Sequence, residues 1–169
     1  MMGQRLHITQ GEHATGQGDH VVITTLLGSC VSCCLWDAHA QVGGMNHMLL
    51  AKRIDGSHTQ TLSGIAAMER LINDLTKLGA QRDRLKAKAF GGARMISGFS
   101  DIGAQNADFT TEFLAQEGIP LVTQSLGGTH ARTIRFWPGS GRVMQRVTDA
   151  NVPEVEVRPT PPGNGLELF

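Results

Sequence analysis

From Val21 to Leu27 the chain reads VVITTLL, a run in which every side chain is β-branched or aliphatic. Such a run fits a buried strand, where branched side chains pack well on the pleated surface. Gly28-Ser29 interrupt it, and Val31 to Trp36 resumes as a second short apolar run. Asp37-Ala-His-Ala-Gln has the composition of a turn, and Val42 to Leu50 returns as a third strand containing GGMNHMLL. Strands of this kind need a second layer to cover them.

The rest of the chain supplies that layer. Leu62, Ile65, Met68, Leu71, Ile72, Leu75 and Leu78 recur at helical spacing, with Glu69, Arg70, Asn73, Asp74 and Lys77 on the other faces. Gly79 follows as the expected C-terminal cap. LKAKAF (Leu85–Phe90) alternates like a strand, and a second helix is expected over Gly103 to Glu117, burying Phe109, Phe113 and Leu114. Further strands are expected at Ile119–Ser125, Thr133–Trp137 and Val143–Val147, with Gly127-Gly128 and Pro138-Gly139-Ser140-Gly141 as turns. Strands outnumber helices. This favours an α/β or α+β layered domain over a helix bundle. Residues 1–20 are polar and suggest a mobile or loosely packed start. Residues 1–150 read as one domain, and 151–169, NVPEVEVRPTPPGNGLELF, as a Pro-containing C-terminal tail with a short docking segment at its end.

Bulk properties remove several function classes. The formal net charge is zero, so nothing electrostatic points to nucleic acid or an acidic membrane. No apolar run approaches the roughly 20 residues that span a bilayer, and MMGQRLHITQGEH lacks the apolar stretch of a secretory signal. All three cysteines fall within Cys30–Cys34, an odd and crowded set that precludes a stapled secreted framework. The expectation is a reduced, cytoplasmic protein.

Those cysteines admit four readings. Cys30-Val-Ser-Cys33 has the spacing of a zinc knuckle, but a knuckle needs a tight turn and a second ligand pair. Val31 and Ser32 look like strand, where positions three apart face opposite ways. A thioredoxin-like pair fails similarly, because it should open a helix. Cys33 and Cys34, followed by Leu35 and Trp36, read as small buried hydrophobes. Cys30 differs, since it follows a strand interruption where Gly28 and Ser29 leave space beside the sulfur. A nucleophile needs that clearance, and backbone N–H groups at such a turn can face a developing oxyanion.

A thiol also needs a base. The candidate is His47, carried on the next strand after two glycines that permit close approach of another chain segment. If those strands are adjacent and antiparallel, His47 comes within reach of Cys30. His130 is a minor competitor. His7, His13, His20, His39 and His58 lie in polar or loop-like stretches.

LLGSCVSCCLWD, GGMNHMLL and AKAFGGARM together resemble the chemoreceptor glutamine deamidase family, CheD. The resemblance continues through IGAQN (Ile102–Asn106), GIPLV (Gly118–Val122) and GGTHARTIRF (Gly127–Phe136), covering most of residues 20–147. It implies a single-domain layered α/β (α+β) sandwich of mainly antiparallel strands with flanking helices, related to the catalytic domain of the cytotoxic necrotizing factor toxins. It also implies a cysteine hydrolase that converts receptor glutamines to glutamates, with glutamyl methyl ester hydrolysis as a related reaction. The family's nucleophile falls on Cys30, its histidine on His47 and its threonine on Thr24, six positions before the cysteine. Thr24 would orient the imidazole, while Thr25 would face the opposite way in a regular strand. Ala51 stands where family members often carry proline.

The implied substrate is the cytoplasmic helical domain of chemoreceptors, with no metal or organic cofactor and no membrane insertion. The resemblance also brings a second partner into view, the CheC phosphatase. The alternative function is therefore a non-enzymatic adaptor that binds such a signalling partner through the same groove.

Overall fold

The computed structural model describes residues 3–50, 59–95, 101–148 and 166–169. Ala51, His58 and the Pro-containing stretch 151–165 lie outside the described residues. Among the described residues, ten strands and two α-helices follow one another: β1 (Gln4–His7), β2 (His13–Gln17), β3 (Val21–Leu27), β4 (Val31–Asp37), β5 (Val42–Asn46), α1 (Thr59–Lys77), β6 (Lys86–Gly91), α2 (Ile102–Gln116), β7 (Leu121–Leu126), β8 (Arg132–Trp137), β9 (Arg142–Val147) and β10 (Leu166–Leu168).

The strands form two five-stranded sheets, ordered β1-β3-β8-β9-β10 and β2-β5-β4-β6-β7. The β1–β3 and β6–β7 pairs are parallel and every other pair is antiparallel. One buried cluster fills the space between the sheets, drawing Ile23, Leu27, Ile134 and Phe136 from the first and Cys34, Trp36, Met45 and Phe90 from the second. The second sheet packs its other face against the helices, where Cys33, Leu35 and Val42 meet Met68, Leu71, Leu75, Phe113 and Leu114. The fold is thus three layers, sheet on sheet on helices. The expected layered sandwich, mainly antiparallel with flanking helices, is present.

Burial on both faces explains the run of strand β4, all seven residues of which are buried. A strand in the middle layer has no wet face, so it loses the polar alternation of an ordinary antiparallel strand. Glycine serves the same crowding. A Cβ at Gly44 would lie 2.7 Å from the Leu71 side chain of α1 and 2.8 Å from the Ala14 carbonyl of β2. Nothing larger fits there.

Among the described residues, the polar segment 3–20 is built into the sheets, contrary to the expectation of a mobile or loosely packed start. It supplies β1 and β2, each at the edge of a sheet. An edge strand is held by main-chain hydrogen bonds along one side and needs little apolar character. The end of the chain behaves similarly. Leu166–Leu168 pair with β9, and the Phe169 ring meets Phe90 edge-on at a centroid distance of 5.2 Å. The apolar periodicity of α1 holds from Met68 onward, whereas Leu62 and Ile65 in its first turns are exposed.

Candidate active site

Cys30 occupies the junction between β3 and β4, and every carbonyl around it is held. Ala93 N–H donates to the Gly28 carbonyl at 3.0 Å, and Gly92 N–H donates to the Cys30 carbonyl at 2.9 Å. The Asn106 side chain donates from Nδ2 to the Ser29 carbonyl at 2.7 Å. Gly91 adopts φ 108°, and a Cβ there would strike the Cys30 carbonyl, so only glycine lets β6 come this close. Among the described residues, no hydrogen bond uses the N–H of Ser29 or Cys30.

His47 follows β5. The β4–β5 register, continued by the Val31–Met48 bridge, sets Cys30 opposite Leu49 and Ser32 opposite His47. Cys30 and His47 are therefore diagonal neighbours on one face, a separation of about 7–8 Å between backbones. That face looks into the space between the sheets, where Cys30 joins the inter-sheet cluster. Between the regular ladder and the bridge, the Cys33 N–H goes to Asn46 Oδ1 at 3.0 Å. His47 is held from its other side, through its N–H to the Glu12 carbonyl and its carbonyl to the Gly11 N–H.

The threonine that meets His47 is Thr25, not Thr24. Thr25 is fully buried on the inward face of β3 with Ile23 and Leu27, and its Oγ1 lies 2.7 Å from His47 Nδ1. Thr24 is on the outward face with the exposed Leu26. Its hydroxyl lies 3.1 Å from Nδ1 of His7, its cross-strand partner in β1. Thr24, expected to orient the imidazole, turns towards His7 instead, because strand alternation sends the two threonines to opposite faces.

The Thr25 contact fixes the state of the ring. Thr25 Oγ1–H donates to the Ile8 carbonyl at 2.7 Å. Its single proton is thus committed, so Oγ1 accepts the Nδ1–H of His47. The proton-free Nε2 is left as the basic nitrogen. Burial pushes the His47 pKa below its ordinary value of 6.5, nearby His7 lowers it further, and Glu12 pulls it back up. Burial pushes the Cys30 thiol above its ordinary 9.0. Both shifts favour the uncharged forms, a neutral thiol and a neutral imidazole.

The other cysteines play a different part. Cys33 and Cys34 are fully buried on opposite faces of β4, and burial pushes Cys33 up to about 12 and Cys34 well above its ordinary value. Cys30 and Cys33 also face opposite layers, so the two sulfurs do not converge on one ion. His130 lies beyond β7 with its ring against Thr129 Oγ1. Sequence reasoning passed over three residues near the site: Thr25, His7 and Asn106. A cavity opens beside His47 and is bordered by Glu12, His13, Leu49, Ser63 and Arg70. Among the described residues, no helix is long and apolar enough to cross a membrane.

Comparison with known proteins finds relatives of this chain. A family model described as CheD chemotactic sensory transduction matches residues 48–147. A probable chemoreceptor glutamine deamidase CheD of Caulobacter vibrioides (strain NA1000 / CB15N) is 51% identical over 161 residues, covering 94% of this chain and 86% of that protein. Proteins of the same description from Acidiphilium cryptum and Agrobacterium fabrum are each 47% identical, over 98% of this chain and 94% and 97% of their own lengths. Both the matched domain and these full-length identities place the chain in one family: it belongs to the CheD family.

Proposed function

We propose that this protein is a glutamine deamidase that converts specific glutamines of chemotaxis receptors to glutamate. The observation that carries this reading is the hydrogen bond from His47 Nδ1 to Thr25, which leaves Nε2 free on the face shared with the Cys30 thiol. The relatives described as probable chemoreceptor glutamine deamidases support the substrate class.

In the reaction, His47 Nε2 takes the Cys30 proton as sulfur attacks the side-chain carbonyl carbon of glutamine. The tetrahedral oxyanion faces the uncommitted N–H of Cys30. The imidazolium returns its proton to the amide nitrogen, ammonia leaves, and a thioester remains on Cys30. Water then gives a proton to the same imidazole and attacks the thioester, releasing glutamate and the thiol. A glutamyl methyl ester presents the same acyl carbon and follows the same route with methanol leaving. All the proton transfers fall to Cys30 and His47, and Thr25 accepts from Nδ1 throughout.

The substrate segment is a helix of a receptor's cytoplasmic domain, which places the reaction in the cytoplasm. The test is incubation of purified protein with receptor cytoplasmic fragments, followed by mass mapping. A few defined glutamines should gain the mass of amide-to-acid conversion, and Cys30→Ala should abolish the gain. Tight binding of a CheC-type phosphatase with receptor fragments left unmodified would instead establish the adaptor role.

A further inference from the structure

Asn106 is fully buried in α2 and spends both ends of its amide on distant backbone. Nδ2 donates to the Ser29 carbonyl at 2.7 Å, and Oδ1 accepts from the Leu50 N–H at 2.8 Å. One side chain thus joins the nucleophile turn to the strand segment that continues from His47. The orientation of the amide is not free, because Leu50 N–H can only donate and the Ser29 carbonyl can only accept.

The consequence lies in the peptide unit between Ser29 and Cys30. A trans peptide is planar, and its C=O and N–H point in opposite directions. Holding the Ser29 oxygen towards Asn106 therefore aims the Cys30 N–H away from α2. The flanking carbonyls of Gly28 and Cys30 are tied to Ala93 and Gly92, so the turn has no slack with which to rotate that plane. Among the described residues the Cys30 N–H has no acceptor, and it belongs to the residue that carries the attacking sulfur.

We propose that Asn106 is a positioning residue for deamidation: it sets the Ser29–Cys30 peptide plane so that the Cys30 N–H meets the oxyanion. This rests on the deamidase reading above. Asn106 acts through the peptide and does not touch the substrate. Its effect belongs to the transition state, where the oxyanion exists, and not to the thiol itself.

Asn106→Leu keeps the volume and removes both hydrogen bonds. It should lower kcat for receptor-fragment deamidation by roughly 10–100-fold, approaching the loss of a whole oxyanion donor, with KM within about twofold. Alkylation of Cys30 by iodoacetamide forms no oxyanion and should stay within about threefold of wild type. Asn106→Asp adds a pH signature. Its neutral acid can donate to Ser29 and accept from Leu50, whereas its carboxylate can only accept and repels the Ser29 oxygen. The ratio of Asn106→Asp to wild-type kcat should therefore rise as pH falls, while the Asn106→Leu ratio stays flat.

Unchanged kcat in Asn106→Leu overturns the proposal, as does a parallel loss of alkylation and deamidation. Should both variants fail to fold, wild-type protein decides. A receptor peptide with an aldehyde in place of the glutamine amide should form a hemithioacetal with Cys30 and shift the Cys30 N–H and Asn106 side-chain amide resonances. No shift at the Cys30 N–H refutes the role. A wild-type protein inactive on receptor fragments sinks the deamidase reading, which is a separate outcome from an active wild type matched by an active Asn106→Leu.

Discussion

Replacing Thr25 with valine keeps the shape of a fully buried side chain and removes one hydroxyl. Two groups then lose their partner: the Ile8 carbonyl and the Nδ1–H of His47. Leaving a buried polar group unpaired costs roughly 1–3 kcal/mol, so the two together should lower stability by about 2–6 kcal/mol. For a chain of this size that is a fall in Tm of about 4–24 °C. The kinetic effect is separate from this. Without its acceptor the imidazole no longer prefers the tautomer with a free Nε2, and its plane is no longer set against the thiol. A loss of about 1.4–2.7 kcal/mol of transition-state stabilisation corresponds to roughly 10–100-fold in kcat/KM. Thr25→Ser restores the hydroxyl and should recover most of the activity. Thr24→Val breaks only the contact with His7 on the outer face and should stay within about threefold of wild type. The assay is mass-resolved deamidation of a receptor fragment below the lowest melting transition, with Tm measured on the same samples. Full activity in Thr25→Val together with a tenfold or larger loss in Thr24→Val would refute the assignment of the orienting hydroxyl.

Three more outcomes are expected. Since burial, then His7, push His47 below 6.5 while Glu12 opposes them, kcat/KM should stay level near neutral pH and fall only as pH drops through that lowered pKa. A fall beginning above pH 7 would show that a different group serves as base. The Asp37 carboxyl is fully buried; burial alone would raise its pKa, but bonds from Arg84, Gln81 and Ala40 prevail and hold it at about 2. Its folded pKa lies below the unfolded value, so its share of stability, about 2 kcal/mol, is present above pH 3.8 and is lost as pH falls towards 2. Acid titration of wild type against Asp37→Asn should show the difference between the two narrowing across that window; a constant difference contradicts the pairing. Phe169→Ala removes the edge-on contact with Phe90 and should cost roughly 1–2 kcal/mol, read as a shift in denaturant midpoint at unchanged slope. No shift would mean that the last strand adds nothing to the core.

Much of the architecture was legible because local chemistry sets it. The spacing of Met68, Leu71, Ile72 and Leu75 determines a helix with one buried face, and these residues do face the second sheet. The break at Gly28-Ser29 determines where β3 ends, and so marks Cys30 out from Cys33 and Cys34. What alternation along VVITTLL does not determine is which face is inward, because every side chain in it suits a strand interior. Only the pairing of β3 with β1 and β8, and the packing of its inner face on the second sheet, turns Thr25 towards His47 and Thr24 towards His7. The order of residues 4–17 was hidden for a related reason. An edge strand gains its stability from main-chain bonds to a neighbour distant in sequence, and those leave no apolar pattern. Asn106 is the extreme case. A polar residue in a helix carries no local sign of its role, and its partners stand 77 and 56 residues away at Ser29 and Leu50, so only the folded chain brings them together.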